Sequence, residues 1–153
     1  MRRERFEELK AHRGRHQRPD LDAWYEELDA VGVDDMLGSW KGGVFATGNL
    51  FEKPLAMPVL RWHGKRFDSA DRVEALVGKA LGFRFAAPLG SAVLRPVEFR
   101  GKVSAAMIYD RLPIIDHFRA IDEDAVMGIM DRKGKIEVYF YLERESDREV
   151  RRI

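Results

Sequence analysis

Residues 97–143 run through short stretches of alternating side chains broken by tight turns, yet neither face of these stretches is cleanly polar, and that combination leaves few folds open. The stretches are Val97 to Arg100, Lys102 to Tyr109, Ile114 to Ile121, Ala125 to Asp131 and Ile136 to Glu143. Between them lie a Gly101 turn, a Leu112-Pro113 break, an Asp122-Glu123-Asp124 turn and an Arg132-Lys133-Gly134 turn. Short extended segments joined by acidic or Gly-containing turns read as an antiparallel meander over 95–144. In the last segment Ile136, Val138, Phe140 and Leu142 share one side, while Tyr139 and Tyr141 join Glu137 and Glu143 on the other. In the second, Val103, Ala105, Met107 and Tyr109 oppose Ser104, Ala106 and Ile108. A half-solvated sheet would show one polar face. A closed sheet, lined inside and covered outside by a helix, gives the observed pattern, so the expected fold is a mainly β, antiparallel β-barrel.

Upstream, Trp40 to Thr47 and Val59 to Phe67 read as strands joined by a loop holding Pro54 and Pro58. Gly38-Ser-Trp-Lys-Gly42 opens the first of them and sets a large ring between two glycines where the chain must turn. An N-terminal amphipathic helix is expected over 20–31, capped by Asp20. It would carry Leu21, Trp24, Tyr25, Leu28 and Val31 on one face, end at Gly32 and pack on the barrel. An inserted helix is expected over 69–81, with Asp68 as cap, Val73, Leu76, Val77, Ala80 and Leu81 as its stripe and Gly82 as its stop. Phe83 to Ala87 reads as a short strand. The first 18 residues hold seven Arg or Lys against three Glu and are expected to be a frayed, solvated terminus.

The 153 residues, 45% of them apolar, suit one domain spanning 1–153. Charges nearly balance, 27 basic against 26 acidic, so no global field points to nucleic acid. Cysteine is absent, which removes disulfides, thiolate metal sites and Cys nucleophiles. No apolar stretch approaches the ~18 residues of a membrane helix, so a cytoplasmic protein without integral membrane contact is expected. A homodimer is compatible with the sequence. Gly38 to Gly43 lacks the Lys-Ser/Thr ending of a phosphate loop, and no Gly-x-Ser-x-Gly nucleophile motif occurs. His12 and His16 flank Gly14 in the basic terminus, and Asp122 to Asp124 serve as a turn signal rather than a metal cluster.

The stretch Asp35-Met-Leu-Gly-Ser-Trp-Lys-Gly-Gly43, with Thr47-Gly48 and Trp62-His-Gly-Lys-Arg-Phe-Asp-Ser69, resembles the bacterial GXWXG family over 34–69. Val97 to Arg119 and Val126-Met-Gly-Ile-Met-Asp131 are similar to the domain of unknown function that usually follows it. The resemblance implies a lipocalin-like (calycin-type) barrel, a fold whose members often bind apolar or amphipathic small molecules. It implies no catalytic residues. Within that reading Gly38, Trp40 and Gly42 form a structural motif, and Arg144 from the last strand is the basic side chain that covers the Trp40 ring.

The expected ligand is a small apolar or amphipathic molecule such as a fatty acid or phospholipid, with no cofactor. Candidate ligand-binding residues are Trp62, His63, Met107, Tyr109, Asp116, His117, Arg119, Met130, Tyr139 and Tyr141, with Arg61, Asp110 and Asp131 in the same polar set. Strand parity sends His117 and Arg119 to one face and Asp116 and Phe118 to the other, so only one pair lines the lumen. Two alternatives stand beside this reading. One is a haem-binding barrel with His117, or less well His63, as axial ligand. The other is an enzyme for a small hydrophobic substrate, with Asp116 and Tyr109 as its acid and base pair.

Overall fold

The computed structural model describes residues 1–53, 62–80, 83–86 and 90–146. Two helices, α1 (Arg2–Ala11) and α2 (Arg18–Glu27), precede a single turn of 3-10 helix at Asp34–Met36. Among the described residues nine strands follow: β1 (Gly38–Phe45), β2 (Trp62–Ser69), β3 (Arg72–Ala80), β4 (Phe83–Ala86), β5 (Ser91–Phe99), β6 (Lys102–Tyr109), β7 (Ile114–Asp122), β8 (Ala125–Arg132) and β9 (Lys135–Arg144). The Pro54 to Pro58 loop, residues 59–61 with Arg61, Leu81, Gly82 and Ala87 lie outside the described residues.

The strands run β2-β1-β9-β8-β7-β6-β5-β3, and β3 pairs back onto β2. All neighbours are antiparallel, so eight strands close into a barrel while β4 adds to β3 alongside its contact with β5. Turn chemistry sets the meander register. Arg100 and Gly101 between β5 and β6, and Lys133 and Gly134 between β8 and β9, all have positive φ, which two-residue hairpin turns of this hand require. Phe99 therefore faces Lys102, and Arg132 faces Lys135.

Closure divides the apolar residues into two cores. Trp40, Phe67, Val73, Ala75, Leu94, Met107, Phe118, Val126, Phe140 and Leu142 face the lumen and pack on one another. Phe6, Leu21, Trp24, Tyr25, Phe45, Met127, Ile129 and Tyr139 form a second core between the helices and the outer wall. The two-sided apolarity of the meander has this origin: one set of strand positions packs inward, the other beneath α1 and α2.

Three local expectations are corrected. The helix over 69–81 is strand β3, whose Val73, Ala75 and Val77 alternate into the interior and pair with β2 and β5. The basic terminus is not frayed. Residues 2–11 form α1, Phe6 is fully buried against Trp24, Phe45 and Tyr141, and Leu9 is buried beside it. The excess basic charge there meets acids on the barrel, Arg3 pairing with Asp122 at 2.7 Å and Lys10 with Glu143 at 3.0 Å. Finally, α2 starts earlier and ends earlier than 20–31, with Gln17 as N-cap and Pro19 in its first turn. Beyond it the chain is drawn out along the barrel: the Ala120 N–H donates to the Asp29 carbonyl at 2.8 Å, and the Val31 N–H donates to Ser104 Oγ at 2.9 Å.

Candidate functional site

The parity of β7 decides which polar side chains reach the lumen. Ile114, Asp116 and Phe118 point inward, while His117 and Arg119 point outward. Asp116 is fully buried, and the charge opposite it is Lys65 of β2, itself 3% exposed, with Nζ 3.2 Å from Asp116 Oδ2. Lys65 points inward because β2 shares parity between Lys65 and Phe67 and lies tight on β1. A Cβ at Gly64 would overlap the Trp40 carbonyl oxygen, so only glycine permits that approach.

Around Lys65 the interior is aromatic. Nζ lies 5.4 Å from the Trp62 ring centroid, 5.7 Å from Tyr109 and 5.2 Å from Phe140, and it also donates to the Ala75 carbonyl at 3.3 Å. Three π faces and a carboxylate thus converge on one nitrogen, an arrangement that stabilises positive charge there. Among the described residues Asp116 Oδ1 accepts no hydrogen bond, and Oδ2 meets Lys65 off the line of a well-formed one. A buried acceptor without a donor costs about 1–3 kcal/mol. Burial is the main influence on both ends of the pair: it pulls the Lys65 ammonium down and pushes the Asp116 carboxyl up, each partner's charge acting against the change. Burial, reinforced by Asp116, also raises Tyr109, so its phenol keeps its proton.

Five of the ten expected ligand contacts belong to this interior: Trp62, Met107, Tyr109, Asp116 and Met130. The other five do not, and each has a structural partner. His63 meets Glu145 at 2.8 Å. His117 stacks on Phe99 with centroids 3.8 Å apart, lies 3.1 Å from Asp131 and sits on the outer wall, where it cannot reach a group held in the lumen. Arg119 is buried beneath α2, donating to the carbonyls of Tyr25, Phe99 and Arg100 with its guanidinium 4.4 Å from the Tyr25 ring centroid. Tyr139 donates to Asp22 at 2.7 Å, and Tyr141 packs on Phe6. The haem reading through His117 loses its ligand by this placement. Asp110, at the end of β6, is exposed.

Lys65 and Phe140 are the central residues that sequence reasoning missed as ligand contacts. The available signal was the parity that Lys65 shares with Phe67, and the register shifts of β2 against β3 bring Trp62, of the opposite parity, to the same interior.

At one end of the barrel Trp40 donates from Nε1 to the Met36 carbonyl at 2.8 Å, and the Arg144 guanidinium lies 4.3 Å from its ring centroid. Arg144 also donates to the carbonyls of Leu37 at 2.9 Å and Asp35 at 2.6 Å. Beside this plug an open cavity of about 600 Å³ is lined by Asp29, Asp34, Asp35, Asp122, Glu123 and Arg2, among others. Among the described residues no three His, Asp or Glu side chains gather as a metal site, and no helix is long and apolar enough to cross a membrane.

Comparison with known proteins places these features in a family. Residues 23–80, which hold the C-terminal half of α2 and β1 to β3, match the model described as GXWXG protein. Residues 90–144, which hold β5 to β9, match a domain of unknown function, DUF4334. No match was found among curated proteins. A crystal structure of a protein from Thermomonospora curvata is similar at 42% identity with a TM-score of 0.85, over 95% of this chain and 99% of that one. Both matched stretches give strands to the same closed sheet, through the pairings of β1 with β9 and of β3 with β5. The chain belongs to the GXWXG protein family, its barrel completed by the domain of unknown function DUF4334.

Proposed function

We propose that the protein binds a small apolar molecule carrying one polar head, held with the head at Lys65 and Asp116 and the apolar body among Trp62, Met107, Tyr109 and Met130. The observation that carries this reading is the buried ion pair in an otherwise apolar lumen, with an Asp116 oxygen that accepts nothing among the described residues. Because the pair is neutral as a unit, it favours a head that brings both a donor and an acceptor. A carboxylic acid is the simplest: its O–H donates to Asp116 and its carbonyl accepts from Lys65. A fatty acid of modest length fits this description better than a two-chain phospholipid, since Trp40, Phe67, Phe118 and Phe140 already occupy much of the interior.

The test is titration of tryptophan fluorescence with a chain-length series of fatty acids, beside native mass spectrometry of freshly purified protein. The half-buried Trp62 ring, with Nε1 donating to the Ala75 carbonyl at 3.2 Å, is the reporter. A saturable response that Lys65→Met abolishes is expected. No co-purified species and no response to any chain length would overturn the proposal.

A further inference from the structure

We propose that Lys65 is a carbonyl-capturing amine, forming a protonated Schiff base with an apolar aldehyde that enters the lumen, with Asp116 as proton donor and then counter-ion. This rests on the ligand-binding reading above and names a second ligand class for the same site.

The geometry supplies each requirement of the reaction. An amine attacks a carbonyl only as the free base, and an exposed lysine holds roughly one part in a thousand of that form at neutral pH. Lys65 is buried at 3% exposure with a carboxyl group 3.2 Å away that takes up the proton it releases. Burial works in the same direction on both groups, toward amine and acid. The step balances within the pair. The Nζ lone pair adds to the carbonyl carbon, and the carbonyl π electrons go to oxygen, which takes a proton from nitrogen. The resulting carbinolamine then loses its hydroxyl as water, using the proton held by Asp116. The products are an iminium that retains one N–H, an Asp116 carboxylate and one water, with no oxidant, reductant or outside acid consumed.

The product also suits the site. The iminium keeps its positive charge on the nitrogen that Trp62, Tyr109 and Phe140 surround at 5.2 to 5.7 Å, and the carboxylate faces it. A lysine serving only as a structural counter-ion would need one partner. This one has a carboxyl group with an oxygen that accepts nothing among the described residues, and a ring of π faces besides.

The probe is 4-(dimethylamino)cinnamaldehyde, whose absorption moves to longer wavelength when its imine is protonated. Native full-length protein is incubated with it at neutral pH, reduced with cyanoborohydride and mapped by peptide mass spectrometry. The expected result is a red-shifted band and reduction-stable labelling of Lys65 at least about ten-fold faster than at the exposed Lys133 and Lys135. Lys65→Met should abolish the band. Asp116→Asn should leave an imine that gives up its proton, because no carboxylate then balances the iminium charge, and whose band therefore lies at shorter wavelength. Dodecanoic acid run in parallel separates the two readings: if it binds while Lys65 stays unlabelled, the Schiff-base inference falls and the ligand-binding proposal stands. Equal labelling of all lysines, or a red-shifted band that survives Lys65→Met, overturns the inference as well.

Discussion

The Lys65 and Asp116 pair holds one proton in the folded chain, and the two residues together hold one proton in the unfolded chain across neutral pH, so the pair itself adds no slope to stability there. Each single substitution breaks that balance with opposite sign. Lys65→Met strands the Asp116 carboxyl in the lumen without the cation that restrains its upward shift. Above the unfolded aspartate value of about 3.9 the unfolded chain has lost a proton that the folded variant still holds. The difference in bound protons, unfolded minus folded, is then −1, and stability falls with rising pH by about 1.4 kcal/mol per unit until the buried carboxyl ionises. Asp116→Leu is the mirror case. The lone amine is held below its ordinary value by burial, the unfolded lysine keeps its proton up to about 10.4, the difference is +1, and stability rises with pH at a similar slope.

Urea denaturation from about pH 5 to about pH 8, taken as the difference from wild type at each pH, cancels other titrating groups. Among these are His16 and His117, which burial holds below their ordinary value. Over that range the two lines should cross, each moving by up to about 4 kcal/mol, a large part of a small domain's total stability. The double variant Lys65→Met with Asp116→Leu should be flat and within about 2 kcal/mol of wild type, since a buried ion pair replaced by apolar groups often costs little. Single variants that run parallel to wild type would refute the premise that both groups lie out of water.

Further outcomes follow from the packing. Trp40→Ala should cost about 3 to 5 kcal/mol and Arg144→Ala about 1 to 3 kcal/mol, and the double variant should fall short of the sum by about 1 kcal/mol in denaturant melts. Strict additivity would remove the ring contact from the energetics. Deleting residues 1–15 should destabilise by about 3 kcal/mol or more, because Phe6 and Leu9 leave the outer core and Trp24 and Phe45 lose their cover; a loss below about 1 kcal/mol would show that α1 is dispensable. Gly128→Ala should cost about 1 to 3 kcal/mol by calorimetry, since the added Cβ overlaps the buried Phe140 ring; a neutral result would mean that the lumen is loosely packed at this level.

The meander was legible because its signals are local. Gly101 and Gly134 mark turns that need positive φ, and the alternation between them is long enough to fix the period. Residues 72–80 misled because Val73 and Val77 are four apart. Four is an even number and also about one helical turn, so the same pair satisfies a strand face and a helix stripe, and pairing with β2 and β5 decides. The docking of α1 was hidden for a different reason. Its two buried residues sit among charges whose partners, Asp122 and Glu143, lie more than a hundred residues away.

Parity on β7 reduced the site to two choices but could not rank them, since both faces are covered. What ranks them is α2, which lays the Tyr25 carbonyl and ring on Arg119 and so claims that face for the outer wall. Asp116 is left inside by the same act. Lys65 is harder still to read: a cation flanked by Gly64 and Arg66 has the sequence signature of a wet strand, and it becomes interior only when β2 closes onto β3. That seam carries several register shifts, more than any other in the barrel. The two halves of the candidate site therefore come from opposite sides of the closure, Lys65 from the seam and Asp116 from the regular meander. A barrel opened between β2 and β3 would hand Lys65 back to water and leave Asp116 as an isolated buried acid, so the chemistry of the pair exists only while the ring of strands is complete.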